Sequence, residues 1–533
     1  MVESSTIQRG AVTEIHTDVL VIGGGATGAG VVRDAAMRGF SAVLVERVDL
    51  GQGTTGRFHG LLHSGGRYVV SDPQSARECA QEVEILHRIG AEVIEATGGL
   101  FVTTPQDDPD YADRFIAACK ETGVQAHEIA VAEALGREPR LNPRISRAFE
   151  VNDGAVDAWK LVWGNVRSAQ EYGATILPYH WVTEVLRDGD AVVGVVCRDD
   201  VAGEDVRIEA AFTINASGAW AGQLADMAGC PGVTVVPGRG IMIAMNHRLV
   251  NTVVNRCAPP GDGDILVPIR TVCVIGTTDS EANSPDELEI THNEVQQMLD
   301  AGEVLVPGFR EARALHAWAG ARPLFKDDRA SESDTRHMSR GLALVDHKPR
   351  DGVTGFLTIT GGKATTFRLM AEIVVDAMCA QMGATRPCRT AQEQFPGSED
   401  GKLYWLGSRL ADREAARGED QIICECELMP RRKLEELLAR RPSATFDDVR
   451  RQLRLGMGPC QGGFCSYRTT GIAYELGCVN ADRANMQLRS FLEHRWIGLH
   501  PILYGDQVRQ TALDDWIFQG LLDVEHLPDA APA

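Results

Sequence analysis

Residues Asp18 to Arg47 read DVLVIGGGATGAGVVRDAAMRGFSAVLVER. Asp18–Ile22 is short, branched and ends at glycine, the pattern of a buried strand. Gly23, Gly25 and Gly28 fit G-x-G-x-x-G, Ala29 to Met37 continues as a helix, and Ala42–Val45 is a second buried strand. Glu46 ends that strand about 20 residues past the glycines. Each part has a physical task. The first glycine permits a tight turn, the second lets backbone approach a pyrophosphate, and the third allows close helix–strand packing. The helix N-terminus stabilises negative charge, and the acid accepts hydrogen bonds from a ribose. A bare glycine pattern is weak, but here strand, glycines, helix, strand and acid stand in order.

Two later stretches point to a flavin rather than a nicotinamide. A β-meander is expected from Thr175 to Phe212, followed by TINASGAWAGQLADMAG (Thr213–Gly229). Phe356 to Met370, FLTITGGKATTFRLM, predicts a strand, a Gly-Gly turn and a helix start. A second positive helix terminus suits the N1/O2 edge of a flavin, where reduction places negative charge.

Composition bounds the function. The chain has 533 residues, enough for two or three domains. A formal charge of −21 disfavours nucleic acid as a partner. Met1 to Thr17 is polar, and no long uninterrupted apolar run appears, so neither export nor a membrane span is expected. The expected address is the cytoplasm, or the inner face of the cell membrane as a peripheral protein. Thirteen cysteines then read as thiols or metal ligands rather than disulfides.

Taken together, GGGATGAG (Gly23–Gly30), TTGRFHGLLHSGGRY (Thr54–Tyr68), NASGAWA (Asn215–Ala221), AGARPL (Ala319–Leu324) and TGGKATTFR (Thr360–Arg368) resemble the D-amino-acid-oxidase-like FAD enzymes. Within that class they resemble the glycerol-3-phosphate dehydrogenases, in particular the A subunit of the anaerobic enzyme. The resemblance implies an α/β fold: a Rossmann-like FAD domain interleaved with a β-sheet substrate domain across 17–385. It implies cofactor contacts from Gly23, Gly25, Gly28, Glu46, Thr54, Thr55, Gly218, Gly361, Gly362 and Lys363. It also implies oxidation of glycerol 3-phosphate to dihydroxyacetone phosphate, with hydride passing to FAD.

That substrate needs a phosphate clamp, and the planar fork of arginine meets phosphate oxygens in pairs. By resemblance Arg322 and Arg336 bind substrate with Tyr68, and Arg322, Arg67, His63 and Lys363 are the catalytic candidates. A surface position is the ordinary fate of an arginine, and a lysine after Gly-Gly is often exposed. His63 is the candidate base because imidazole titrates near neutrality; His59 is its rival, and packing against the flavin is the plainer role.

Residues 386–420 turn polar and irregular and are expected to be a linker or an interdomain wrap. Beyond it stand Cys424-x-Cys426 and Cys460-x4-Cys465, separated by a helical stretch broken at Pro442. Four thiolates suit an iron–sulfur cluster or a structural zinc, and the C-x-C spacing counts against zinc. The pattern resembles the bacterioferritin-associated-ferredoxin-like domain, which implies an α-rich [2Fe–2S] domain over 421–480. A C-terminal helical segment, 481–533, is expected to cover it; its apolar stretch Phe491–Leu527 could instead dock a partner subunit or a membrane surface. FAD takes two electrons and a cluster passes one, so the family's arrangement implies subunits B and C leading to quinone. Two rivals remain: an amine or 2-hydroxyacid dehydrogenase of the same fold, and a non-catalytic electron-transfer subunit.

Overall fold

The computed structural model describes residues 13–327, 341–416 and 420–526. The chain forms two compact units by passing back and forth between them. The first takes the residues up to Thr54, Val162–Val236 and Pro323–Pro396; the second takes Thr55–Leu161, Pro237–Arg322 and everything from Gly397. This is the interleaved α/β arrangement expected from the dispersed motifs.

In the first unit, β1 (Thr13–Ile22) lies between β2 (Ala42–Glu46) and the strand Glu204–Asn215, parallel to both. Val19 to Ile22 are buried on both faces, as an unbroken apolar run in a parallel sheet should be. The strand begins five residues earlier than the sequence predicts, because Thr13–Thr17 pair with Val206–Ala210 although four of these five side chains are polar. Thr175–Pro178 adds to β2 in parallel, so the meander is narrower than expected: His180–Asp188, Ala191–Asp199 and Glu204–Asn215. The last three residues of Glu204–Asn215 pair in parallel with Phe356–Thr358 of the strand Phe356–Gly361. Helix α1 (Ala26–Met37) starts three residues before the predicted position, since Gly25 is its N-cap.

The second unit is built on a mixed sheet of nine strands among the described residues. Its core holds Leu100, Ile241, Ile243, Leu266, Ile275, Met298 and Phe309. The cysteine-bearing segment adds a small cluster of helices, Arg431–Arg440, Phe446–Leu453, Cys465–Glu475 and Ala481–Leu499, around Leu434, Phe446 and Phe491. The break between the first two falls at Pro442, as its missing N–H requires.

Parts of the segment expected to be a linker make specific contacts. Arg33, buried inside the first unit, donates to Ser168 Oγ (3.0 Å) and to the Glu393 carbonyl (2.7 Å), and lies 4.8 Å from the Phe395 ring. In the second unit Tyr404 N donates to the Ile94 carbonyl (3.0 Å), and a helix follows at Leu406–Ala415.

Candidate active site and four-cysteine site

The glycines of the first unit form a cradle that a side chain would fill. A Cβ on Gly28 would stand 1.8 Å from the Gly23 carbonyl oxygen, and one on Gly23 would stand 2.6 Å from the Ala216 carbonyl oxygen. Gly25 caps α1 without a side-chain hydrogen bond of its own, and the N-terminus of such a helix attracts negative charge. Glu46 ends β2 with its carboxylate fixed by Gly24 N (2.7 Å) and Val48 N (3.2 Å); burial pushes its pKa up. Behind the cradle, Asn215 Nδ2 donates to the Ala221 carbonyl (2.8 Å), and its Oδ1 accepts from Ser217 Oγ (2.6 Å). This locks the turn that carries Gly218, whose carbonyl accepts from Thr360 Oγ1 (3.1 Å). Gly361 and Gly362 both take positive φ, 74° and 68°, and Lys363 N donates to Thr366 Oγ1 (3.1 Å) just before the helix Phe367–Met382. These residues fit a dinucleotide such as FAD: a side-chain-free approach for pyrophosphate, a fixed acid, and a second tight turn opening a helix.

In the second unit, His59, Arg67 and Arg322 come together. A Cβ on Gly276 would lie 2.9 Å from the His59 ring, and one on Gly240 would lie 2.6 Å from Arg322 Nη2. Burial, then the charges of Arg67 and Arg322, push the His59 pKa down to about 3. The ring is therefore neutral, and Leu61 N donates to its Nδ1 (3.1 Å), so the hydrogen sits on Nε2. Such a ring offers a donor at Nε2 rather than a free lone pair. The His63 and Tyr68 rings lie 5.2 Å apart, and His63 is buried.

The two arginines differ in how they are held. Arg67 forms a buried pair with Asp264 (2.7 Å), which also accepts from Gly261 N (2.8 Å). Arg322 bonds Asp279 (2.9 Å), the Thr278 carbonyl (3.0 Å) and the Thr277 hydroxyl, in a pair whose side chains are 30% and 47% exposed. An exposed pair of this kind contributes little and exchanges partners readily. The sequence reading missed Asp264, Asp279 and Asp153; the last accepts from Ser64 N (2.7 Å) and Ser64 Oγ (2.8 Å) and fixes the HSGGRY segment. Thr54 ends the first unit and Thr55 opens the second, within one short turn (Thr54–Arg57). Arg336 lies outside the described residues.

The four sulfurs of the C-terminal segment adjoin one another. Cys424 is within hydrogen-bonding reach of Cys426 and Cys465, and Cys426 of Cys460. Backbone N–H groups point at them: Glu427 at Cys424, Cys460 at Cys426, and Gly462 and Gly463 at Cys460. The Cys426 contact eases Cys424 downward, but the Cys465 thiol and burial together push it up to about 12. Four thiolates this close repel unless a cation joins them, and the ring of N–H donors suits sulfurs carrying negative charge. The donor set fits a cluster. By contrast Cys230, His347 and Asp351 bring three ligand atoms within 4.8 Å, yet both His347 nitrogens are already engaged, by Asp351 (2.7 Å) and Thr358 (2.9 Å). That group is a satisfied structural knot. Cys119, Cys230 and Cys273 are buried, in keeping with packing roles.

His316 offers a test of how tightly the C-terminal helix seats. Its pKa falls to about 4, through burial and then Arg450 and Arg495, and a Cβ on Gly498 would stand 1.8 Å from its ring. A histidine held neutral contributes fully above its unfolded pKa near 6.5; that contribution is lost as pH falls towards 4, where the unfolded chain binds the proton and the fold does not. The drop in melting temperature from pH 7 to pH 5 is therefore expected to be smaller in His316→Gln than in the parent. Equal drops would contradict it.

Among the described residues no helix is long and apolar enough to cross a membrane. The FAD dependent oxidoreductase family matches residues 18–376. The A subunit of anaerobic glycerol-3-phosphate dehydrogenase from Escherichia coli (strain K12) is 41% identical over 530 residues, covering 96% of this chain and 97% of that protein. The A1 subunit of the Haloferax volcanii enzyme is 40% identical, covering 97% and 92%. Among solved structures, glycerol-3-phosphate dehydrogenase from Bacillus halodurans complexed with FAD is similar with a TM-score of 0.64, over 92% of this chain and 96% of that one, at 20% identity. Glycine oxidase from Geobacillus kaustophilus is similar at 0.56, over 72% and 99%, at 22% identity. These two bear on the fold alone. The chain belongs to the FAD dependent oxidoreductases and, within them, to the family formed by the A subunits of anaerobic glycerol-3-phosphate dehydrogenase.

Proposed function

We propose that this protein oxidises sn-glycerol 3-phosphate to dihydroxyacetone phosphate. It then sends the electrons through a [2Fe–2S] cluster on Cys424, Cys426, Cys460 and Cys465 to partner subunits, B and C by the family's naming, and on to quinone. The observation that carries the reading is one chain holding three parts: the glycine cradle with Glu46, the His59–Arg67–Arg322 group, and four adjoining sulfurs ringed by N–H donors.

Gly23, Gly25 and Gly28 would hold the FAD pyrophosphate, Glu46 its ribose, and Gly218, Gly361, Gly362 and Lys363 the flavin end; Thr54 and Thr55 complete the set. FAD, when bound, supplies the hydride acceptor, and the cluster supplies one-electron transfer. Arg322 exchanges Asp279 for the substrate phosphate, with Arg336 and Tyr68 as further contacts. Arg67 stays with Asp264 and contributes fixed positive charge that favours loss of the hydroxyl proton. His63 takes that proton, and His59 donates through Nε2–H. A site on the cytoplasmic face of the membrane, reached through the partner subunits, follows from the quinone.

Truncating a charged phosphate contact costs about 2–4 kcal/mol, which is roughly 30-fold to 10³-fold in kcat/KM. Arg322→Ala is therefore expected to lose roughly that factor towards glycerol 3-phosphate while keeping its FAD, with a much smaller change towards unphosphorylated glycerol. Steady-state kinetics with an artificial acceptor check it. An equal loss on both substrates would show that Arg322 does not read the phosphate.

A further inference from the structure

The cysteine site borders a turn whose sequence carries no motif. Strands Ile265–Ile269 and Val272–Gly276 are joined by two residues, Arg270 and Thr271. At the far end of this hairpin, Gly276 packs on the His59 ring and Thr277 bonds Arg322. At the near end, Gly458 is wedged between two neighbours: its missing Cβ would stand 2.3 Å from Cys426 Cβ, 3.1 Å from Cys426 Sγ and 3.3 Å from Thr271 Oγ1. One hairpin thus runs from the proposed substrate residues to the proposed cluster, a span of about 20 Å at the usual rise per residue.

Thr271 Oγ1 is buried and has no hydrogen-bond partner among the described residues. A buried hydroxyl left unpaired costs about 1–3 kcal/mol, so its surroundings ask for an acceptor. The backbone of the turn is fixed through its other residue. Arg270 takes a positive φ of 54°, its N donates to Glu95 Oε2 (3.0 Å), and its guanidinium lies 3.1 Å from the Tyr404 ring centre. Asp157 ties it to the cysteine segment through Arg454 (3.5 Å), which also pairs with Glu427 (3.3 Å), the residue after Cys426.

We infer that the Thr271 hydroxyl, which finds no acceptor among the described residues, donates a hydrogen bond to the cluster that Cys426 would hold and raises its reduction potential. This rests on the cluster proposed above. The physical reason is that reduction adds negative charge to the sulfurs, and a donor stabilises the reduced form more than the oxidised one. The other donors described at these sulfurs are backbone N–H groups, so Thr271 is the side chain through which a substitution can tune the potential without removing a ligand.

The test is a redox titration of the whole purified protein, followed by the electron paramagnetic resonance signal of the reduced cluster. Thr271→Val, equal in shape, is expected to lower the midpoint potential with iron content unchanged, and Thr271→Ser to keep the parent value. An unchanged potential in Thr271→Val, or an equal shift in both variants, overturns the inference while the cluster reading stands. Should Thr271→Val lose its cluster, the same titration of Thr271→Ser still decides: a shifted potential overturns the inference. A parent protein without iron and sulfide overturns the cluster and the inference together.

Discussion

Gly28→Ala is expected to come out of purification with less than roughly a tenth of the parent's flavin, given the steric conflict it creates. The added methyl would lie 1.8 Å from the Gly23 carbonyl oxygen, less than any non-bonded carbon–oxygen pair tolerates. Both sides of that contact are backbone, so no rotamer relieves it. Either α1 moves away from β1 or the loop before it does, and both movements open the cradle. Gly136→Ala is the control. Nothing lies within 4 Å of the new Cβ there, the residue sits in the helix Val131–Arg137, and exchange for alanine is favourable by about 0.5–1 kcal/mol. Flavin-to-protein absorbance ratios after gel filtration check both. Full flavin in Gly28→Ala would mean that the glycine fingerprint is not the cofactor site.

Cys460→Ser is expected to separate the two halves of the reaction. With one ligand gone and the Gly462 and Gly463 N–H groups left aimed at a hydroxyl, the cluster should be lost or largely depleted. Substrate should still bleach the flavin at close to the parental rate, while reduction of quinone-like one-electron acceptors falls at least about tenfold, since that step runs through the lost group. Iron and sulfide analysis, stopped-flow bleaching and acceptor assays give the three readings. Zinc in place of iron in the parent protein, or unchanged acceptor reduction in the variant, would remove the cluster from the path.

The parts legible in the sequence were those whose residues are neighbours in the chain. The dinucleotide fingerprint spans about 30 residues in an order that few alternatives share. The cysteine pairs were legible for the same reason. What could not be read were long-range partners. Asp153 holds Ser64 from 89 residues away, and nothing in its local sequence, Asn152-Asp153-Gly154, distinguishes it from a turn aspartate. Asp264 sits in a run of Pro, Gly and Asp that signals a loop but not a pairing with Arg67. The polar segment 386–396 reads as a linker or wrap because its anchor, Arg33, lies more than 350 residues earlier in the chain. The C-terminal segment reads as cover for the cysteine domain, where Ala484, Leu488 and Phe491 pack; Leu499 and Ile502 belong in addition to the core of the nine-stranded sheet. Helical spacing shows that a face is apolar, not which surface receives it. Trp496, Ile497, Leu513 and Trp516 on the same segment remain exposed.

The central claim, that this chain oxidises glycerol 3-phosphate on its flavin, is tested most directly by anaerobic spectroscopy of the purified protein. Addition of glycerol 3-phosphate is expected to bleach the flavin band, and sarcosine, 2-hydroxyglutarate and unphosphorylated glycerol are expected to leave it. Bleaching by one of the others and not by glycerol 3-phosphate would contradict the substrate and the role of Arg322. No bleaching by any of them would contradict the dehydrogenase reading itself.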